Sequence, residues 1–257
     1  MKNRKGLIII MVAVYAFFLV WYVPANRVFT LLQHGVATPL GSFRCSSLEG
    51  TWHDGVGLNG QLGMLPLQEV RWHFKPWALF TGRLSAALSA RTEEGVIEAT
   101  VSRGLKTLSV RNIEGSLALT ALRPLMATYG VQLEGSVSAS MEDFAIRQGR
   151  VTTVQGSLVW HDAAISSTPK AQLGTLVVEF STLKDEVRAT LADTGGPVKV
   201  EGLLLLQQDG RYTQTATLLA RTPEMAKQID TLVLFGRKQG DGSVQFSSSG
   251  VVPLLAL

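Results

Sequence analysis

From about residue 69 onward, apolar and polar positions alternate one for one along most of the chain. Val70, Trp72 and Phe74 alternate with Glu69, Arg71, His73 and Lys75. Val131, Leu133, Gly135, Val137, Ala139 and Met141 alternate with Gln132, Glu134, Ser136, Ser138 and Ser140. Val154, Gly156, Leu158 and Trp160 alternate with Thr153, Gln155, Ser157 and His161, and Leu117 and Leu119 with Ser116 and Thr120. A period of two puts successive side chains on opposite faces of a strand, so these segments predict half-buried antiparallel β-strands. Turn signals fall between them at Glu93-Glu94-Gly95, Gln148-Gly149, Gly195-Gly196-Pro197, Asp209-Gly210 and Gly240-Asp241-Gly242. Asp209-Gly210 is the strongest hairpin signal, because both residues tolerate the positive φ of a tight turn.

Helical spacing is confined to short stretches. Val28–Val36, Ala121–Tyr129 and Pro223–Ile229 each predict a short helix, the last with proline in its first turn. Strands do not alternate with helices, which argues against a parallel sheet. Gly135, Ala139, Gly156, Gly202 and Ala216 put small groups on the dry face. That fits a bent sheet, a shallow groove or close sheet packing, and the sequence does not choose among them.

One segment differs in kind. Gly6 to Val23 is an unbroken run of 18 uncharged residues, and as a helix it would rise about 27 Å, close to the hydrocarbon thickness of a bilayer. Lys2, Arg4 and Lys5 precede it, and Trp21 and Tyr22 stand at its far end, where interfacial aromatics belong. The run therefore predicts a transmembrane signal-anchor. Residues 1–5 would be a cytoplasmic basic tail, and residues 24–257 a β-rich domain on the other side. Val23-Pro24-Ala25 also offers an A-x-A-like site, which would make the run a cleaved signal peptide. Its length and bulky aromatic end favour the anchor.

Composition narrows the function. Of 257 residues 46% are hydrophobic and 17% charged, so the chain has ample apolar surface to bury. A pI of about 9.3 suggests nucleic acid. However, the first five residues hold three of the 24 basic groups, leaving 21 against 20 acidic ones, and no phosphate-binding patch is indicated. The single cysteine, Cys45, rules out an intrachain disulfide framework and reads as a small apolar filler. Trp-His-Asp occurs twice, at Trp52-His53-Asp54 and Trp160-His161-Asp162, which hints at two β pseudo-repeats or, with His73, at a metal site. Each histidine stands alone on its strand after an inward tryptophan, and that favours surface positions. Gly55-Val-Gly57-Leu-Asn-Gly60 matches G-x-G-x-x-G, but no helix start follows it, so it reads as a glycine-rich strand. No hydrolase, P-loop or zinc-protease motif is present. We assign no catalytic, cofactor-binding or metal residues, and expect a non-enzymatic protein without a cofactor. Trp52, Trp72 and Trp160 are expected packing anchors.

Several of these pieces, in order, resemble the type II secretion system protein N family (general secretion pathway protein N). They are Pro24-Ala25 with Val28 and Leu31-Leu32, and Gly50-Thr51-Trp52 with Gly55. Next come the W-x-x-x-P block Val70–Pro76 with Leu79 and Gly82, and Gly156–Trp160 with Ala163. Gly196-Pro197 with Gly202, Asp209–Tyr212, Arg221, Leu234–Gly236, Asp241-Gly242 and Gly250 complete the set. The resemblance implies a single-pass bacterial inner-membrane protein with a periplasmic β domain. It would be accessory to the apparatus that carries folded proteins across the outer membrane, with the inner-membrane platform and the outer-membrane secretin as partners. The chain is also similar to AsmA-like β-groove proteins, which implies a lipid-binding alternative.

Overall fold

A computed structural model gives the fold and describes residues 11, 15, 18, 21–32, 37–38, 41–123, 126, 132–165, 171–232 and 236–252. The N-terminal strands are β1 (Ala37–Thr38), β2 (Gly41–Gly50), β3 (Asp54–Leu62), β4 (Leu65–Phe74), β5 (Leu84–Thr92), β6 (Gly95–Arg103) and β7 (Thr107–Ala118). They continue as β8 (Leu133–Arg147), β9 (Arg150–Ile165), β10 (Ala171–Leu183), β11 (Glu186–Asp193), β12 (Val198–Gln207) and β13 (Arg211–Ala220). The chain closes with β14 (Arg237–Lys238) and β15 (Val244–Val251). Two α-helices, α1 (Ala25–Leu32) and α2 (Pro223–Leu232), and two 3-10 turns, Pro76–Thr81 and Leu119–Leu122, complete the described elements.

All fifteen strands belong to one antiparallel sheet, in chain order except that β15 inserts between β13 and β14. The sheet is open: its end strands are β1 and β14, two residues each. Among the described residues, then, there is neither a second sheet to make a sandwich nor a closure to make a barrel. The turn signals sit where they were expected, with Asp209 and Gly210 joining β12 to β13.

Register explains the alternation. Following paired residues from strand to strand gives one row: Leu48, Gly57, Val70, Ala90, Ile97 and Gly115 on β2–β7. It continues through Ala139, Leu158, Val178, Leu191, Gly202, Ala216 and Phe246 on β8–β13 and β15. Every member is apolar or glycine. One residue on, the partner row on the opposite face includes Glu49, Arg71, Glu98, Glu114, Glu179 and Thr190. A slip of one residue would exchange the two faces, so burial of the apolar one fixes the register.

The small residues have two roles. Gly135 (φ +104°) and Gly156 (φ +133°) lie where pairing of β8 with β9 shifts register. A Cβ on Gly156 would lie 2.4 Å from Met141 Cα. These are bulge positions that bend the strands, and they need glycine. Gly202 has ordinary backbone and lets Leu191 pack against it, where a Cβ would sit 3.1 Å from Leu191 Cβ.

The buried core gathers at one end of the apolar face. Val198, Val200 and Val244 pack with Ala163 and Leu176 under Met225 and Ile229 of α2. Thr222 caps α2, accepting from the Met225 N–H at 3.4 Å, and Pro223 and Glu224 suit its first turn. The helix expected over Pro223–Ile229 is thus present and runs to Leu232. The helix expected over Val28–Val36 begins earlier, at Ala25, and residues 33–36 lie outside the described residues. Leu119 and Thr120, expected in a strand, belong instead to a 3-10 turn with Leu119 buried. Most of the helix expected over Ala121–Tyr129 lies outside the described residues, as does most of the run Gly6–Val23. Among the described residues no helix is long and apolar enough to cross a membrane.

Candidate functional surfaces

Where α1 and the chain before it meet the sheet, three segments are tied together. The Trp52 N–H donates to Val23 O at 3.2 Å, and Pro24 bridges to Thr51. The Phe74 N–H donates to His53 O at 2.6 Å. Trp21 lies 4.3 Å from the His53 ring and Trp52 lies 5.3 Å from Phe74, centroid to centroid. Trp72 donates its indole N–H to Trp52 O at 3.1 Å. A Cβ on Gly55 would fall 2.4 Å from the Trp72 ring, so the glycine makes room for the indole.

Trp160 is the counterpart toward the other end, donating to Glu134 O at 2.8 Å and packing on the core under α2. Sequence reasoning missed the ion pair beside it. Arg221 donates to Asp193 at 2.6 Å, where the carboxylate is only 4% exposed, and to Gly196 O and Val198 O. Burial opposes ionisation of Asp193. The hydrogen bond from Arg221 and the N–H groups of Val200 and Gly195 outweigh it and hold the carboxyl below the usual range. The pair ties the β11–β12 turn to the end of β13. No local pattern announces it, because the partners are 28 residues apart.

The chemical candidates separate in space. Trp52 and His53 lie in the β2–β3 turn and Asp54 opens β3, whereas Trp160, His161 and Asp162 lie in β9, six strands away. His73 Nδ1 and Asp54 Oδ2 stand 3.7 Å apart, both exposed. Among the described residues no three His, Cys, Asp or Glu side chains converge as a metal site would require. This overturns the metal reading of the two triplets. Gly55, Gly57 and Gly60 all lie within β3, not in a strand-to-helix turn, so a dinucleotide loop is excluded there. The Cys45 sulfur faces Ser47 O and Leu58 O at 2.9 and 3.1 Å and fills space beside Gly57.

What remains is surface. Toward the end away from α2, the apolar row lies in an open trough of about 500 Å³ lined by Val178, Ala189, Leu191, Leu204, Ala216 and Phe246. Beyond β13, the outer edge of β15 from Phe246 to Val251 pairs with no strand among the described residues.

The described residues thus form a single open antiparallel sheet with one apolar and one polar face. The chain belongs to the family "Type II secretion system (T2SS), protein N", which it matches over residues 43–247. It is 25% identical over 218 residues to the type II secretion system protein N of Vibrio cholerae serotype O1, covering 80% of this chain and 83% of that one. It is 24% identical over 262 aligned positions to the type II secretion system protein N of Klebsiella pneumoniae, covering 97% of each. No solved structure matches the chain.

Proposed function

We propose that this protein is a non-enzymatic accessory component of a type II secretion apparatus. In this reading residues 6–23 anchor it in the bacterial inner membrane with its N-terminus in the cytoplasm. The β domain stands in the periplasm and contacts the inner-membrane platform and the outer-membrane secretin. Family membership over residues 43–247 is the observation that carries the reading. The outer edge of β15, which pairs with no strand from Phe246 to Val251 among the described residues, supports a docking mode in which a partner strand extends the sheet through main-chain hydrogen bonds. Anchoring would raise the local concentration of the domain beside its partners. The test is deletion of the gene in a strain that exports type II substrates, with the remaining subunits shown to be present. The reading expects export to fall and the full chain to restore it; unchanged export would sink it.

A second reading rests on a different observation. The apolar row crosses thirteen strands with no covering sheet among the described residues, as a lipid-binding groove of the AsmA-like kind would require. It expects phospholipid to co-purify with the protein and to crosslink to Val178 or Phe246 in the trough. Purification free of lipid from native membranes would count against it.

A further inference from the structure

The largest exposed apolar side chains of the sheet stand close to where the N-terminal segment joins it. In the 3-10 turn Pro76–Thr81, Trp77 is 78% exposed and Phe80 84%, and their rings stack on each other at 5.8 Å. Leu79 and Leu84 beside them are half or more exposed, and Leu105 at the β6–β7 tip is fully so. Surfaces of this kind are costly in water and mark a contact site.

The turn is built to hold its rings outward. Gly82 closes it in the left-handed region (φ +69°) and donates to Leu79 O at 2.9 Å. Thr81 Oγ1 donates to Ala78 O at 2.8 Å, and the Arg83 N–H donates to the same carbonyl at 3.1 Å. Its flanks are tied to the sheet, since the Lys75 N–H donates to Ser85 O at 2.7 Å.

Position and charge say what it meets. Phe74, two residues before Pro76, is bonded to His53 and packed on Trp52, and Trp52 is bonded to Val23, the last residue of the apolar run. The turn therefore lies at the same end of the sheet as the end of that run. Arg83 follows the turn, Arg103 and Lys106 flank Leu105 at the β6–β7 tip, and segments 75–84 and 103–108 contain no acidic residue. At the other end of β5, the turn to β6 carries Glu93 and Glu94. Exposed aromatic side chains on a basic, acid-free edge suit the interface of a bilayer with anionic headgroups.

We propose that the turn Pro76–Thr81, together with Leu84 and Leu105, is a second membrane contact. It would seat the anchored end of the sheet on the leaflet from which residues 6–23 emerge, and so fix the orientation of the β domain. This inference rests on the anchor reading of residues 6–23. The test uses the full chain with Cys45→Ser, reconstituted in vesicles of phosphatidylethanolamine and phosphatidylglycerol that contain nitroxide-labelled lipid. An environment-sensitive fluorophore is placed at Tyr15→Cys, Phe80→Cys or Glu93→Cys. The expected result is that the Tyr15 and Phe80 probes lose most of their emission to the lipid quencher while the Glu93 probe keeps its own. Quenching at Tyr15 but not at Phe80 overturns the second contact and leaves the anchor standing. No quenching at Tyr15 removes the anchor and this inference with it. A Phe80 probe untouched by lipid that crosslinks in cells to an envelope protein also overturns it, giving the turn to a protein partner. A Leu105→Cys probe repeats the reading from the neighbouring tip, so a misfolded Phe80 variant does not end the test.

Discussion

Trp160 and Trp72 both stitch distant backbone to the apolar face through an indole N–H. Replacing Trp160 by phenylalanine keeps most of the packing and leaves Glu134 O without its donor, so denaturant unfolding should show a loss of about 1 kcal/mol. Trp160→Ala should cost about 3–5 kcal/mol, because a cavity is added. Asp193 gives a pH signature. Its carboxyl is held below the ordinary range in the folded state. Its contribution is therefore complete above the unfolded value, about 3.9, and is lost as the pH falls through the folded one. Asp193→Asn should lower stability at neutral pH and flatten the fall in stability as the pH drops below about 4, followed by urea unfolding across the acid range. Trp52 lies in the β2–β3 turn, whereas Trp72 and Trp160 were legible as anchors because alternation marks the dry face. Asp193 and Arg221 were not, since only the register of β10 to β13 brings them together.

Among the elements, α2 closes the buried end of the apolar face with two side chains, Met225 and Ile229, on Val198, Val200 and Val244. Ile229→Ala should destabilise by about 2–5 kcal/mol. It should also increase binding of a dye that reports apolar surface, whereas Lys227→Ala on the exposed side should do neither. Helix α2 was legible because proline, an acidic first turn and spaced apolar residues agree at Pro223–Ile229. The 3-10 turn at Leu119–Leu122 was not, because Leu117 and Leu119 alternate as a strand would until Ala118, and tertiary packing of Leu119 ends the pattern. The turn Pro76–Thr81 was legible only in part: the W-x-x-x-P block placed Pro76 and Gly82, but exposure of Trp77 and Phe80 depends on how the turn is capped.

For the molecule as a whole, period-two alternation fixed the sidedness of the sheet, since one face must leave water. It could not say whether that face closes on a second sheet, because a half-covered trough and a sandwich present the same pattern along each strand. The strand order supplies that answer: among the described residues, a single open sheet whose apolar row is capped at one end by α2. The same openness leaves three surfaces for contact, namely the trough, the β15 edge and the aromatic turn. If these surfaces serve a secretion machine, as proposed, its subunits must lie against them in the cell. In-cell crosslinking of the full-length protein, scored by mass spectrometry for both proteins and lipids, tests this most directly. Capture of platform or secretin subunits is the expected result. Capture of phospholipid along the apolar face, with those subunits present in the cell but absent from the crosslinks, would contradict the proposal.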